Sequence, residues 1–342
     1  MKKLTYYVCV HFVAVIFLVG SNLPSNACSR ALWSSDNKTV MSGRNMDWSE
    51  PMPVNLWALP RGIARNGMTG TNTLKWSAKY GSVVVADFVP YDGINEKGLS
   101  AHVLWLSGSD YGKRDETVPG LKIGLWVQFF VDNFSTVDEA VSFTQKTPFQ
   151  LVTATVGGNK ITLHMVIEDS TGDSAIIEYI DGKPKVYHDK KYKMVTNSPT
   201  FDKQIDNLKN YMGFGGKNPL PGSTESADRF VRGAYYLKHL PLPADNRQCL
   251  AGIKSVMDTV AQPLGVKDPL RPFNSATQWR TFSDLTNKIY YFGSSYSLNT
   301  IWVVLDSMDF TEGTSTKMYD VVKGPDRTGD VSKFFKDTKP IF

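Results

Sequence analysis

Ser25-Asn26-Ala27-Cys28-Ser29-Arg30-Ala31-Leu32-Trp33-Ser34, then Ser35-Asp36-Asn37-Lys38, then Thr39-Val40-Met41-Ser42-Gly43-Arg44-Asn45 reads as two β-strands joined by a loop of about four residues. The first strand begins at a cysteine, and what precedes it reads as a secretory leader. Lys2 and Lys3 form a positive n-region, residues 4 to 20 are an apolar run broken by Tyr6, Tyr7 and His11, and Ser25 and Ala27 are small residues suited to a cleavage site. Cleavage after Ala27 is expected to leave a mature chain, residues 28–342, whose first residue is Cys28. Residues 1–27 are thus expected to be a cleaved signal peptide and 28–342 a single domain, periplasmic or secreted.

Outward from this hairpin, the composition narrows the function classes. Removing Lys2 and Lys3 lowers the formal charge from +5 to +3, too mild to argue for nucleic acid or an anionic membrane. A small molecule is the expected ligand. No later stretch reaches the roughly 18 uninterrupted apolar residues of a membrane span, and 42% hydrophobic residues with eight Trp suffice for one large core. Cys9 leaves with the leader, so the mature chain keeps Cys28 and Cys249. A disulfide between them is arithmetically open, but a nucleophile must keep its thiol free, and Cys249 sits in an apolar-leaning stretch that fits a buried thiol.

Further strands are predicted at 83–89, 99–106, 161–168, 175–180, 193–197, 289–292 and 300–305. Helices are predicted at 121–133, 137–145, 227–239 and 247–259, with Thr136 and Glu139 spaced as a capping box. Runs of strands, then helices, then strands indicate packed antiparallel sheet and helix rather than alternating βαβ units.

An N-terminal cysteine carries its own base. An α-amine titrates near 7.7 to 8.0, so at neutral pH an appreciable fraction can take the thiol proton without a histidine. The four histidines after the leader, 102, 164, 188 and 239, form no Cys/His protease signature and read as structural or surface imidazoles. Arg44 and Asp47 lie at the far end of the second strand, beside the start of the first. Residues 44 and 47 point to opposite faces of a regular strand, so Asp47 is expected beyond the strand end, where Trp48-Ser49-Glu50-Pro51 turns the chain.

Taken in order, Cys28, Gly43-Arg44-Asn45-Met46-Asp47, Asp92-Gly93-Ile94-Asn95-Glu96-Lys97-Gly98-Leu99, Thr196-Asn197-Ser198-Pro199-Thr200-Phe201-Asp202 and Ala227-Asp228-Arg229-Phe230 resemble the choloylglycine hydrolase family of penicillin V acylases and bile salt hydrolases. The resemblance covers nearly the whole mature chain. It implies an α+β fold, the four-layer αββα sandwich of N-terminal nucleophile hydrolases, usually in a homotetramer, with no metal or organic cofactor. By the same resemblance, Cys28 is nucleophile and base, Arg44 and Asp47 are its electrostatic partners, Asn197 belongs to the oxyanion hole and Arg229 is a further active-site arginine.

One position departs from the bile salt hydrolase pattern. Trp105 stands where that branch has an oxyanion-hole asparagine, and an indole cannot replace an amide side chain there. The second donor is then expected to be the Trp105 backbone N–H, as in penicillin V acylases with an aromatic at this site, leaving Trp105 and Trp48 to wall an acyl slot. Trp57 reads as core. Together with the leader, this resembles the Gram-negative branch, whose members cleave penicillin V and in several cases N-acyl homoserine lactones. Two other readings stay open. A lipoprotein lipidated at Cys28 would be a tethered binding protein, although Ser25 stands where a lipobox prefers Leu. A related amidase for another linear amide, conjugated bile salts included, would use the same residues.

Overall fold

The computed structural model describes residues 27–35, 39–156, 158–266 and 275–341. The leader, Ala27 excepted, and Asp36, Asn37 and Lys38 of the hairpin loop lie outside the described residues. The strands that carry the fold are β1 (Ala27–Ser35), β2 (Thr39–Trp48), β3 (Asn55–Leu59), β4 (Ser82–Ala86), β5 (Pro90–Asn95), β6 (Ser100–Trp105), β7 (Leu163–Glu168), β8 (Ser174–Ile180), β9 (Lys183–His188), β10 (Met194–Val195), β11 (Ala276–Asp284), β12 (Ile289–Ser294), β13 (Ile301–Val304), β14 (Lys317–Tyr319), β15 (Gly329–Asp330) and β16 (Lys336–Asp337). The helices are α1 (Trp126–Asn133), α2 (Val137–Lys146), α3 (Phe201–Leu208), α4 (Ser226–His239) and α5 (Asn246–Thr259).

Two large sheets result, in the strand orders β10-β1-β2-β11-β12-β13-β15 and β9-β8-β7-β6-β5-β4-β3-β14-β16. Alternation along the second sheet shows how the layers stack. Val83, Val85, Val166 and Ile176 face the first sheet, while Val84, Met165, Ile167, Ala175 and Ile177 pack outward with Trp126 and Phe130 of α1. Trp57 belongs to that outer core, as expected. On the far side of the first sheet lie α4 and α5, so the layers run α/β/β/α and the chain has the expected N-terminal nucleophile hydrolase sandwich. Gly43 faces α5, where a Cβ would come within 2.8 Å of Met257; the glycine lets helix and sheet approach.

Local sequence signals set several boundaries. Thr136 caps α2 by accepting from the Glu139 N–H at 3.2 Å, while the Glu139 carboxylate reaches back to the N–H of Ser135, one residue earlier than a regular capping box. Asp245 caps α5 through the Gln248 N–H at 2.8 Å. Other boundaries moved. The helix expected from 121 starts at Trp126, because Gly120–Lys122 pairs in parallel with Gln150–Val152. The strand expected at 193–197 shrinks to Met194–Val195. β3, β5, β11 and α3 carried no separate expectation.

Candidate active site

Cys28 pairs with Met46 and Ala27 with Asp47 across the β1–β2 hairpin. The Cys28 and Met46 side chains share the face turned toward the second sheet, with the two sulfurs 3.5 Å apart. Arg44, two residues before Met46 on that face, places Nη2 3.8 Å from the Cys28 Sγ, 3.4 Å from the Met46 Sδ and 2.8 Å from the Val103 carbonyl it donates to.

Asp47 lies inside β2, which continues to Trp48, and this corrects the expectation that it sits past the strand end. It projects to the opposite, helical face and still reaches the site, because its strand partner is the residue just before Cys28. There its carboxylate accepts from Thr277 Oγ1 at 2.6 Å and Gln262 Nε2 at 3.1 Å, and lies 3.6 Å from Arg229 Nη1. A bulge between Thr277 and Trp279 explains the two partners β11 contributes. With Gln278 as the extra residue, Thr277 meets Asp47 on the helical face, while Trp279 lies under Arg44, whose guanidinium carbon is 4.8 Å from the ring centroid. Thr277 and Gln262 were not anticipated, since no local signal marks a bulge 230 residues away.

Asn197 follows β10 and is held through its N–H by Ser226 Oγ at 2.9 Å. Its Oδ1 accepts from the Cys28 nitrogen and from Arg229 Nη2 at 2.9 Å, and its Nδ2 donates to the Trp105 carbonyl at 2.8 Å. Two donors on Oδ1 fix which way the amide faces, leaving one Nδ2 hydrogen uncommitted. Arg229, on α4, also donates to the Cys28 carbonyl at 2.7 Å and to Ser29 Oγ. Trp105 pairs with Leu163 in a register where the next N–H, of Leu106, donates to Thr162. The N–H and C=O of Trp105 therefore turn away from β7, toward Asn197. Its indole meets Trp48 edge-on at 6.1 Å. Cys28, Arg44, Asp47, Asn197, Arg229, Trp105 and Trp48 are thus brought together from β1, β2, β6, α4 and the loop after β10.

Burial pushes the Cys28 thiol above its ordinary value, against the pull of Arg44 and Arg229 and together with the push of Asp47. Burial likewise raises the Asp47 carboxyl, opposed chiefly by Arg229 and the two hydrogen-bond donors. The thiol therefore needs a base beside it to ionise at neutral pH.

Behind Arg44 a buried row of charges crosses to the second sheet. Arg44 Nε is 3.8 Å from Asp92 Oδ2, which is 2.5 Å from His102 Nδ1; His102 Nε2 is 2.5 Å from Glu168 Oε1, and Glu168 Oε2 is 3.3 Å from Arg30 Nε. Burial alone would lower the His102 pKa, but the two carboxylates outweigh it and raise it to about 9. Burial would likewise raise Asp92 and Glu168, yet His102 with Arg44 or Arg30 holds both below the usual range. His102 therefore contributes stability that is full below its unfolded value near 6.5 and is lost as pH rises to about 9; the carboxylates contribute above their unfolded values and lose it in acid. Thermal melts are expected to show Tm falling between pH 6.5 and 9 in the wild type and flatter in His102→Gln. Parallel curves would contradict this assignment.

The other histidines lie elsewhere: His164 is buried 3.5 Å from Glu178, His188 pairs with Asp173, and His239 packs on Tyr235. Cys28 and Cys249 are both free and buried. Trp279 also lines a cavity of about 520 Å³ with Met52, Val54, Phe292, Ile301 and Tyr319; Cys28 and Asn197 do not line it. Among the described residues, no group of three or more His, Cys, Asp or Glu is placed to hold a metal, and no helix is long and apolar enough to cross a membrane.

Comparison with known proteins matches residues 28–319 to the family described as linear amide C-N hydrolases, choloylglycine hydrolase family. The penicillin V acylase of Pectobacterium atrosepticum is 38% identical, over 99% of this chain and 97% of that protein. The solved penicillin V acylase from Agrobacterium tumefaciens is 40% identical and superposes with a TM-score of 0.84, covering 92% of this chain and 98% of that one. The conjugated bile acid hydrolase from Clostridium perfringens, at 22% identity and a TM-score of 0.73 over 89% of this chain and 98% of its own, shares the fold. The sandwich, the clustered motif residues and a family match that starts at Cys28 agree: the chain belongs to the choloylglycine hydrolase family and is a linear amide C–N hydrolase.

Proposed function

We propose that this hydrolase is an exported N-terminal cysteine amidase acting on the linear amide of penicillin V, of N-acyl homoserine lactones, or of both. The observation that carries the reading is the meeting of the Cys28 nitrogen, Asn197, Arg229 and the Trp105 backbone at one point. In the full-length chain that nitrogen is a peptide N–H bonded to Asn197 Oδ1. Removal of residues 1–27 turns it into an amine in the same place, with Asp47 close by to orient it.

The reaction follows from those positions. The amine takes the thiol proton, and the thiolate, favoured by Arg44, attacks the amide carbon. Negative charge moves to the carbonyl oxygen, where the free Nδ2 hydrogen of Asn197 and the Trp105 N–H stabilise it. The ammonium then protonates the departing nitrogen, the C–N bond breaks, and a thioester to Cys28 remains. Water gives a proton to the same amine as it attacks the thioester, and the acid leaves with Cys28 restored. The Trp48–Trp105 pair offers an aromatic wall for a phenoxyacetyl or fatty acyl group. That wall and the two penicillin V acylase relatives near 40% identity favour these substrates over conjugated bile salts.

The test is an intact mass and N-terminal sequence of exported protein, with amine release from penicillin V, a long-chain acyl homoserine lactone and a conjugated bile salt. A free Cys28 terminus and turnover of either of the first two amides are expected. A lipid mass on Cys28, or turnover confined to the bile salt, would overturn the reading.

A further inference from the structure

We propose that Asp92, His102 and Glu168 are positioning residues for the hydrolysis: as a buried row of alternating charge they hold the Arg44 guanidinium at the Cys28 thiol and keep it from closing onto a carboxylate. The proposal rests on Cys28 being the nucleophile.

Its basis is how Asp92 is shared. Its Oδ2 lies 2.5 Å from His102 Nδ1 and accepts from Thr281 Oγ1 at 3.1 Å, and its Oδ1 accepts from Tyr290. Arg44 Nε, at 3.8 Å, is outside hydrogen-bonding range. Among the described residues, Arg44 Nε and Nη1 have no hydrogen-bond partner, while Nη2 is directed at the Val103 carbonyl and the two sulfurs. A buried guanidinium with two unpartnered nitrogens beside a carboxylate gains by moving onto it, unless another cation already satisfies that carboxylate. Protonated His102 is that cation, and Glu168 in turn holds it, backed by Arg30.

Both side chains at every link are at most 1% exposed, so solvent screens little of this. From the thiol outward the signs run plus, minus, plus, minus, plus. The groups facing His102 are Asp92 from β5, Glu168 from β7 and Ser100 Oγ from β6, with Ser283 of β11 beyond that hydroxyl; Arg44 and Tyr290 meet Asp92, and Arg30 meets Glu168. A neutral imidazole has a single N–H and can satisfy only one of the two carboxylates. Losing the proton frees Asp92 to draw Arg44 away from the sulfur and removes one positive charge from behind the nucleophile, so the thiolate becomes harder to form.

The test uses mature enzyme and two readouts over pH 6 to 10: kcat/KM on a cleaved amide, and the rate of Cys28 alkylation by chloroacetamide, which needs no turnover. In Glu168→Gln, His102 keeps one of its two anions and deprotonates earlier. The basic break in both profiles is expected to move to lower pH by about one unit, with KM unchanged. In His102→Gln, alkylation at pH 7 is expected to slow roughly tenfold, the equivalent of a one-unit rise of the thiol pKa.

Folded Glu168→Gln enzyme whose two profiles superimpose on the wild type would overturn the positioning role. Where neither variant folds, the wild type decides: the pH at which the His102 ring resonances titrate must coincide with a break in the alkylation profile, and no break there rejects the proposal. Activity in Cys28→Ala would instead sink the nucleophile assignment beneath it.

Discussion

Cys28→Ser is expected to abolish turnover, by at least about 10⁴-fold, while leaving the fold in place. The physical reason lies in the proton. A serine hydroxyl is far weaker as an acid than a thiol, and an amine titrating near 8 cannot ionise it appreciably, with burial raising the cost further. No imidazole stands ready to help, because each histidine among the described residues is committed to another region or, for His102, held between two carboxylates. The substitution replaces an Sγ that touches Met46 Sδ at 3.5 Å and Arg44 Nη2 at 3.8 Å, so a smaller hydroxyl fits without displacing either. Amide release and a thermal melt on the same sample check both halves. Near-wild-type turnover in Cys28→Ser would remove the thioester mechanism altogether.

The second large effect is expected at Asn197. Asn197→Ala should lower kcat by roughly 100 to 1,000-fold with a much smaller change in KM, the usual consequence of deleting one donor from an oxyanion hole. Alanine also removes the Oδ1 that Arg229 and the Cys28 nitrogen use, which could by itself misplace the nucleophile. Asn197→Asp separates the two roles, since it keeps an acceptor for both but offers no hydrogen to a developing oxyanion. If the donor matters, Asn197→Asp is as inactive as Asn197→Ala. Recovery of most activity in Asn197→Asp would assign Asn197 to positioning instead.

How much of this was legible in the sequence depends on how local each signal is. The β1–β2 hairpin, the α2 cap and the placement of Cys28 near a strand start all rest on residues within a few positions of one another. Strand parity is local and sets Arg44 and Asp47 on opposite faces of a regular strand, which led to the overturned expectation that Asp47 lies past the strand end. What parity could not show is that Ala27 would be the strand partner of Asp47, so that a residue on the wrong face still reaches Arg229, which donates to the Cys28 carbonyl. Thr277 and Gln262 escaped notice for a similar reason: a bulge in β11 turns Thr277 to the helical face, and nothing near residue 277 marks it. His102 read as a structural imidazole, and so it is by contact, but whether a buried histidine is neutral or charged depends on carboxylates 10 residues before it and 66 after it.

By itself, then, the sequence determined which groups are available: a cysteine behind a leader-like segment, an arginine and an aspartate sixteen and nineteen residues on, an asparagine before Ser-Pro, and alternating apolar strands that must stack in layers. Short-range sterics and hydrophobic period suffice for that. Only the tertiary structure decided which of them meet, which face each presents and which are charged. Those are properties of pairs far apart along the chain, and their energies are set by burial and by distances that exist once the two sheets have closed on each other.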